Sequence, residues 1–233
     1  MTDVEPLIQL QQVTKRYPMS WGELEALAPL SLEVASGELL AIMGPSGSGK
    51  STLMHLLGCL DRPSGGSYLL RGADVSYLSD RELAQLRASS IGFVFQSFNL
   101  LAQLTVYENV ELPFQYSIRK APSSQEKILE AIELVGLSHR LHHHPHQLSG
   151  GEMQRVAIAR AIAIDPLLIL ADEPTGNLDS QTGQKILELF GLLHQRGVTL
   201  LIVTHDSRVG RSCSRRIEMR DGQLIRDTRE DKG

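Results

Sequence analysis

The sequence predicts an α/β fold whose sheet is mostly parallel. Short, continuous apolar runs recur along the chain, at Leu39–Met43, Ile91–Phe95, 167–171 and 198–203. Runs of this length without polar alternation are typical of strands that are buried on both faces. A helical pattern at 181–195, followed by Gly197 as its stop signal, lies between the last two of these runs. The alternation of strand and helix therefore predicts an α/β core.

An antiparallel β region is predicted near the N-terminus. Residues 7–13 alternate apolar and polar side chains, which is typical of a strand with one buried face. Residues 30–34 and 68–70 are further short strand patterns. Near the other end of the chain, Asp221-Gly222 lies between two apolar segments and predicts a hairpin.

A helical lobe is predicted between two parts of the core. Helical patterns fill the stretch from about 96 to 165, and capping boxes of the form S/T-x-x-E begin at Thr105 and Ser123. We expect one domain over the whole chain, in which residues 1–95 and 166–233 form the core and about 96–165 form the lobe.

A phosphate-binding loop is predicted at residues 44–52, which fit G-x-x-x-x-G-K-[ST] directly after a predicted strand. Glycines let successive backbone N–H groups turn toward phosphate oxygens, and the N-terminus of the next helix adds partial positive charge. The motif predicts that Lys50 reaches the β- and γ-phosphates and that the Ser51 hydroxyl binds Mg²⁺. The loop comprises Gly44, Pro45, Ser46, Gly47, Ser48, Gly49, Lys50, Ser51 and Thr52.

Polar residues follow two other predicted strands. Asp172 and Glu173 end the run at 167–171, and His205 follows the run at 198–203. Parallel sheets place ligands at the carboxyl ends of their strands. A metal-phosphate site needs a carboxylate for Mg²⁺ and a base for the attacking water, which predicts Asp172 for the first role and Glu173 for the second. His205 can donate a hydrogen bond to a γ-phosphate.

Two further motifs lie before the strand at 167–171. Ser149-Gly150-Gly151-Glu152 opens a predicted helix with Ser149 as its N-cap, and this glycine-rich helix start is a second possible anion site. Just before it, histidines cluster between 139 and 146. They could hold a transition metal, but a proline-containing connector without Cys or carboxylate ligands at fixed spacing favours a solvated loop.

Composition narrows the class of protein. The formal net charge is −4 and the basic residues are scattered, so no nucleic-acid partner is expected. The two cysteines, Cys59 and Cys213, lack metal-ligand spacing and suit a reducing compartment. Residues 1–6 lack the pattern of a signal peptide, and no apolar run is long enough to cross a bilayer. We therefore expect a cytoplasmic chain whose membrane role, if any, comes through a partner.

Together, these motifs resemble the nucleotide-binding subunit of an ABC transporter over essentially the whole chain. Residues 44–52 match Walker A, 168–173 match Walker B with its catalytic glutamate, and 148–152 match the signature motif. Gln96 matches the Q-loop and is implied as a further Mg²⁺ ligand beside Ser51 and Asp172. The resemblance also implies His205 as the switch histidine, Tyr17 as the residue that stacks on adenine, and Asp179 as part of the D-loop.

The resemblance implies a head-to-tail dimer that sandwiches ATP. The signature motif of one subunit would close over ATP bound by Walker A of the other. The implied catalytic residues are Glu173, His205, Lys50 and Gln96. Outside Walker A, the implied nucleotide contacts are Tyr17, Ser149, Gly150, Gly151, Glu152 and Asp179.

Finer features indicate a subgroup and its partner. Residues 58–63 and 93–101 are similar to macrolide exporters, lipoprotein-release systems and antimicrobial-peptide exporters. This similarity implies a separate membrane permease, with 96–101 as its dock and the chain peripheral at the cytoplasmic side of the inner membrane. An ATP-dependent clamp that regulates a membrane complex, such as a cell-division system, is the alternative.

Other nucleotide-binding classes fit less well. A P-loop GTPase needs an Asn-Lys-x-Asp base reader, which the chain lacks, and neither a GTPase nor a small-molecule kinase needs a Ser-Gly-Gly helix start. DNA-repair ATPases of related design separate their nucleotide motifs by long coiled coils, whereas the insert here is short. Translation-factor relatives carry two cassettes, and this chain has one phosphate loop.

Overall fold

The computed structural model describes residues 5–116 and 124–229. The described residues form two compact units, the first up to Leu83 and from Thr199 onward, the second over 84–198. The elements in chain order are β1 (Ile8–Met19), β2 (Gly22–Val34), β3 (Leu39–Met43), α1 (Lys50–Leu57), β4 (Gly65–Leu70), β5 (Ala73–Asp74), α2 (Asp80–Ser90), β6 (Ile91–Phe95), α3 (Val106–Tyr116), α4 (Ser124–Leu134), α5 (Gly150–Ile162), β7 (Leu168–Asp172), α6 (Ser180–Gln195), β8 (Thr199–Thr204), α7 (Ser207–Ser212), β9 (Arg215–Arg220) and β10 (Gln223–Asp227).

The predicted antiparallel region is confirmed in the first unit, where the strand order is β2-β1-β4-β5. Strands β1 and β2 are longer than predicted and form a hairpin that pairs Met19 with Gly22. The alternation of apolar and polar side chains did not predict the full length of β1, because the pairing register between β1 and β2 shifts between Leu10 and Val13. Gln12 has φ 51 at that point, so the strand bulges and the side-chain alternation is interrupted.

A second set of strands in the first unit is mostly parallel. Strand β3 pairs in parallel with β8 on one side and β9 on the other, and β10 returns antiparallel to β9. Leu40 and Ile42 are fully buried, as expected for a strand covered on both faces. The predicted turn at Asp221-Gly222 is confirmed, with φ values of 49 and 75 at its two residues.

The second unit combines a parallel strand pair with helices. Strands β6 and β7 pair in parallel, with Phe95 opposite Asp172 at their carboxyl ends. Helix α5 packs directly on β6, since a Cβ on Gly92 would lie 2.6 Å from the carbonyl oxygen of Ala161. The carboxyl ends of β6 and β7 therefore place Gln96 and Glu173 next to each other in the fold.

Helices α3, α4 and α5 pack on one another in the second unit. The capping box at Thr105 is confirmed: its backbone N–H donates to Glu108 Oε2 at 2.7 Å, and Glu108 N–H donates to Thr105 Oγ1 at 3.3 Å. The box predicted at Ser123 lies outside the described residues. Within the described ranges, no helix is long and apolar enough to cross a membrane.

Candidate functional site

The phosphate loop joins β3 to α1 in the first unit. Lys50 is the first residue of α1, is 9% exposed, and donates hydrogen bonds to the carbonyl oxygens of Gly44 (2.9 Å) and Pro45 (2.8 Å). Gly49 precedes the helix with φ 96, and no side chain caps the helix start. The first N–H groups of α1 and the Lys50 ammonium thus stand together at one loop, which is the arrangement that binds phosphate.

Close backbone contacts explain two of the loop glycines. A Cβ on Gly44 would lie 2.2 Å from the carbonyl oxygen of Met219, and one on Gly49 would lie 2.8 Å from that of Ala26. The β9–β10 turn braces the same loop, because Gly222 N–H donates to the Ser48 carbonyl at 3.1 Å. The contacts with the hairpin and β2 therefore help to set the shape of the loop.

The donor set of the loop fits a phosphate chain. Ser48 is 2% exposed, and its hydroxyl has no hydrogen-bond partner within the described part of the chain. A buried polar group without a partner is costly, and a ligand with several acceptor oxygens would satisfy it. Ser51, one position into α1, is exposed and offers a hydroxyl to a cation bound beside such a ligand.

Two other predicted site residues belong to the first unit. His205 follows β8, is exposed, and lines an open cleft together with Gly44 and Pro45. The structure thus brings His205 to the start of the phosphate loop. Tyr17, on β1, is half-buried and donates its hydroxyl proton to Asp61 Oδ2 at 2.9 Å.

The second unit contains the acidic pair and the predicted Q-loop residue. Strand β7 ends at Asp172, and Glu173 follows in the left-handed region with φ 44. A non-glycine residue in that region stores strain, which is common where a side chain is held for function. Gln96 Nε2 donates to Asn177 Oδ1 at 3.1 Å, and Asn177 Nδ2 donates to the Gln96 carbonyl at 3.0 Å. Gly176 N–H donates to the Glu173 carbonyl at 3.0 Å, which closes the same turn.

The predicted cap of α5 is confirmed. Glu152 N–H donates to Ser149 Oγ at 3.3 Å, and Ser149 N–H donates to Glu152 Oε2 at 2.8 Å. The hydrogen bond from the Ser149 backbone lowers the pKa of Glu152 from its usual 4.5, and Arg140, 3.2 Å away, acts in the same direction. Glu152 is therefore a fixed anion that holds the exposed Ser149 in place, while Gly150 and Gly151 form the first turn.

Asp179 has a structural role that the sequence did not predict. It caps α6, since its Oδ1 accepts hydrogen bonds from the backbone N–H groups of Gln181 and Thr182, both at 3.0 Å. The hydrogen bonds from Thr182 are the largest cause of a lowered pKa at Asp179. Its place in a nucleotide site stays a prediction.

Two polar residues of α5 support this region and were not predicted as site residues. Gln154 is fully buried and its Nε2 donates to the Pro174 carbonyl at 2.7 Å, which ties α5 to the turn after β7. Arg160 donates to the carbonyls of Asn99 (2.6 Å) and Phe98 (2.9 Å), which fixes the segment after Gln96. A glutamine among apolar helix positions was the available signal for Gln154.

The histidine cluster forms a connector between helices. The carbonyls of His143 and Leu141 accept hydrogen bonds from the first N–H groups of α3, at Val106 and Tyr107. His144 and His146 stack with their ring centroids 5.8 Å apart. Over residues 5–116 and 124–229, no group of three or more His, Cys, Asp or Glu side chains is placed to hold a metal ion.

Comparison with known sequences identifies relatives over almost the full chain. A family model described as ABC transporter matches residues 27–176. An uncharacterized ABC transporter ATP-binding protein of Thermotoga maritima is 53% identical over 95% of this chain and 94% of its own length. The macrolide export ATP-binding/permease protein MacB of Hyphomonas neptunium is 49% identical over 96% of this chain, which spans 35% of MacB.

Solved structures show the same fold. The dimeric structure of MJ0796, a bacterial ABC transporter cassette, matches with a TM-score of 0.86 and 46% identity, covering 94% of this chain and 97% of that one. A dimeric post-hydrolysis state of the same cassette, bound to ADP and Pi, matches with a TM-score of 0.86 and 45% identity. The chain belongs to the ABC transporter family and is an ATP-binding cassette of that family.

Proposed function

We propose that this chain binds and hydrolyses ATP and drives a separate membrane permease of the export or mechanotransmission type. The observation that carries the proposal is the phosphate loop, in which the buried Lys50 and the uncapped start of α1 converge. Membership of the ABC family supports ATP as the ligand, and the ADP and Pi named for the related cassette support hydrolysis.

Each residue of the site has a role that its chemistry suits. Lys50 and the loop N–H groups bind the β- and γ-phosphates, and Tyr17 stacks on the adenine. Ser51, Gln96 and Asp172 hold Mg²⁺, which neutralises phosphate charge when it is bound. These three side chains offer the oxygen ligands that Mg²⁺ prefers.

Hydrolysis needs a base and a hydrogen-bond donor. Glu173 orients and polarises the attacking water, and its strained φ of 44 is consistent with a side chain that the turn holds in one direction. His205 donates a hydrogen bond to the γ-phosphate, and its place beside Gly44 and Pro45 supports this role. Lys50 remains a fixed positive charge opposite the charge that develops on phosphate.

A second copy of the chain completes the site. Ser149, Gly150 and Gly151 present a helix start to ATP bound by the other subunit, while Glu152 holds that start and Asp179 belongs to the same interface. The dimeric form of the related MJ0796 cassette supports this arrangement. Ser149 is exposed, and its hydroxyl is oriented by Glu152, since it donates to Glu152 Oε2 at 2.8 Å.

The membrane partner is proposed from relatives and from one exposed loop. MacB is named as an ATP-binding/permease protein, which supports a permease partner for a chain that spans about a third of it. Leu101, which follows Gln96 in the loop before α3, is 47% exposed and suits a contact with a permease helix. The chain would then lie at the cytoplasmic side of the inner membrane.

Glu173→Gln tests the hydrolytic role. The substitution keeps the size of the side chain and removes the base, so ATP binding should be retained while steady-state phosphate release falls about 100-fold or more. Glu188→Gln, an exposed change on α6, is the matched control and should leave both unchanged. Undiminished phosphate release by the Glu173 variant would contradict the assignment.

A further inference from the structure

Lys15 and Asp61 contact the predicted adenine-stacking residue from two sides. Asp61 Oδ2 accepts a hydrogen bond from the Tyr17 hydroxyl at 2.9 Å, and Asp61 Oδ1 pairs with Lys15 Nζ at 2.6 Å. The same Lys15 Nζ lies 4.8 Å from the centroid of the Tyr17 ring. One face of the ring is therefore covered by a cation, so a base can stack only on the opposite face.

The cluster is held firmly. The Lys15 side chain is 11% exposed and that of Asp61 30% exposed. Lys15 Nζ also donates to the Arg62 carbonyl at 2.9 Å, and Arg62 N–H donates to Asp61 Oδ1 at 2.7 Å. These partners hold both side chains in position.

The pKa values agree with this geometry. Burial raises the pKa of Asp61, but hydrogen bonds from Lys15, the Arg62 backbone and Tyr17 outweigh it, and the pKa is lowered from 3.8. Burial first and then the hydrogen bond to Asp61 raise the pKa of Tyr17. Around neutral pH, the Asp61 carboxylate therefore accepts the hydrogen bond that the Tyr17 hydroxyl donates.

The same residues connect the ring to the phosphate loop. The phosphate loop lies at the N-terminal end of α1, which begins at Lys50. Asp61 follows the other end of α1, where its N–H donates to the His55 carbonyl at 3.3 Å. Asp61 therefore connects the Tyr17 hydroxyl to α1, and α1 itself begins at the phosphate loop.

We propose that Asp61 and Lys15 are positioning residues that orient the Tyr17 ring for the base of ATP at a set distance from the phosphate loop. This inference rests on the proposed function and extends it. It makes the affinity for the base of ATP depend on Asp61, a carboxylate 44 positions away from Tyr17 in the sequence. A purely structural cluster would stabilise the fold without distinguishing a nucleotide from a bare phosphate chain.

The test compares ATP with inorganic tripolyphosphate, each with Mg²⁺, binding to the full chain by calorimetry. Asp61→Asn should weaken ATP binding about five- to tenfold, which is the lower end of what stacking contributes per base, and should leave tripolyphosphate binding unchanged. Tyr17→Phe, which keeps the ring and loses its anchor, should act in the same direction. The double variant should bind ATP only slightly more weakly than Asp61→Asn alone, because both changes act on the same contact, the hydrogen bond between Tyr17 and Asp61.

The matched control is Glu25→Gln. Glu25 pairs with Arg16 at 3.1 Å on the same hairpin, and both side chains are about half exposed, so its loss should change neither affinity. Equal weakening of ATP and tripolyphosphate by Asp61→Asn and Tyr17→Phe, or no weakening of either, would overturn the inference while the proposed function stands. A wild-type chain that binds no ATP would instead overturn the proposed function, and the inference with it.

Discussion

Gln96 and Asn177 exchange hydrogen bonds at the carboxyl end of the second unit's strand pair. Gln96 Nε2 lies 3.1 Å from Asn177 Oδ1, and Asn177 Nδ2 lies 3.0 Å from the Gln96 carbonyl. The turn that contains Asn177 also contains Glu173, whose carbonyl accepts from Gly176. The predicted Mg²⁺ ligand and the predicted base are therefore positioned by one turn.

Asn177→Ala should lower ATP turnover about fivefold, because the loss of one hydrogen bond costs about 1 kcal/mol and this energy corresponds to about that factor. The reason is that Gln96 is exposed and loses the side chain that orients it. ATP binding and the melting temperature should change little, because both residues lie at the surface. Gln103→Ala, a change at an exposed residue in the loop that follows Gln96, is the control. Equal turnover of the wild type and the Asn177 variant would show that Gln96 needs no such support.

Ser149→Ala and Thr105→Ala form a matched pair. Both residues cap a helix through the same reciprocal contacts with a glutamate three positions later. Each substitution should therefore cost about 1 kcal/mol of unfolding free energy, measured by chemical denaturation. Only Ser149→Ala should lower ATP turnover, by about tenfold or more, because only that hydroxyl is proposed to contact ATP. A similar loss of turnover in both variants would indicate that helix stability is the cause.

These sites differ in how far the sequence could predict them. The phosphate-loop motif and the caps at Thr105 and Ser149 are local patterns, since Lys50 and the two cap residues bond to residues a few positions away. The bond from Tyr17 to Asp61 joins residues 44 positions apart, and that from Gln154 to Pro174 joins residues 20 positions apart. No spacing rule predicts such pairs, because the fold alone brings them together.

A mixture of two inactive variants should recover ATPase activity if the site is shared between subunits. Lys50→Ala removes the phosphate contact, and Ser149→Asp keeps a good helix cap while placing a negative charge near the phosphates. In a mixed dimer, the phosphate loop of the Ser149 variant meets the intact signature motif of the Lys50 variant. Each variant alone should be inactive, whereas the mixture should release phosphate. A mixture as inactive as its components would mean that each chain uses its own motif.

Acid should destabilise the fold through Asp227. Asp227 pairs with the buried Arg215, which also bonds to Glu38 at 3.1 Å. Burial raises the pKa of Asp227, but hydrogen bonds from Arg215 and the Arg229 backbone outweigh it and lower the pKa from 3.8. Because the folded pKa is the lower one, the stabilisation is complete well above pH 3.8 and is lost as the pH falls through the folded value.

Asp227→Asn should therefore reduce the unfolding free energy at pH 7 by about 3 kcal/mol, since it leaves the Arg215 charge buried with a weaker partner. Its melting temperature should also fall less steeply than that of the wild type between pH 7 and pH 3. Asp221→Asn makes the same charge change on a side chain that is 92% exposed, and should alter neither quantity. Parallel pH profiles for the wild type and Asp227→Asn would refute this account.

Leu101→Asp tests the proposed dock for a permease. Leu101 is 47% exposed, and the loop around it is held from behind, since its N–H donates to Asn109 Oδ1 at 2.9 Å and Asn109 is fully buried. A charge at this position should abolish co-purification with the membrane protein that the wild type retains in mild detergent. The basal ATPase activity of the isolated chain should persist, because Leu101 is not among the residues proposed to contact ATP.

Leu129→Asp is the control for that experiment. Leu129 is 40% exposed on α4, so it matches Leu101 in residue type and exposure while lying on another surface of the same unit. It should leave both co-purification and basal activity unchanged. Loss of the membrane protein with both variants would indicate a general effect of added charge, and retention with both would place the permease contact elsewhere. Selective loss with Leu101→Asp would identify the loop after Gln96 as the contact, because the two variants differ only in the surface that carries the charge.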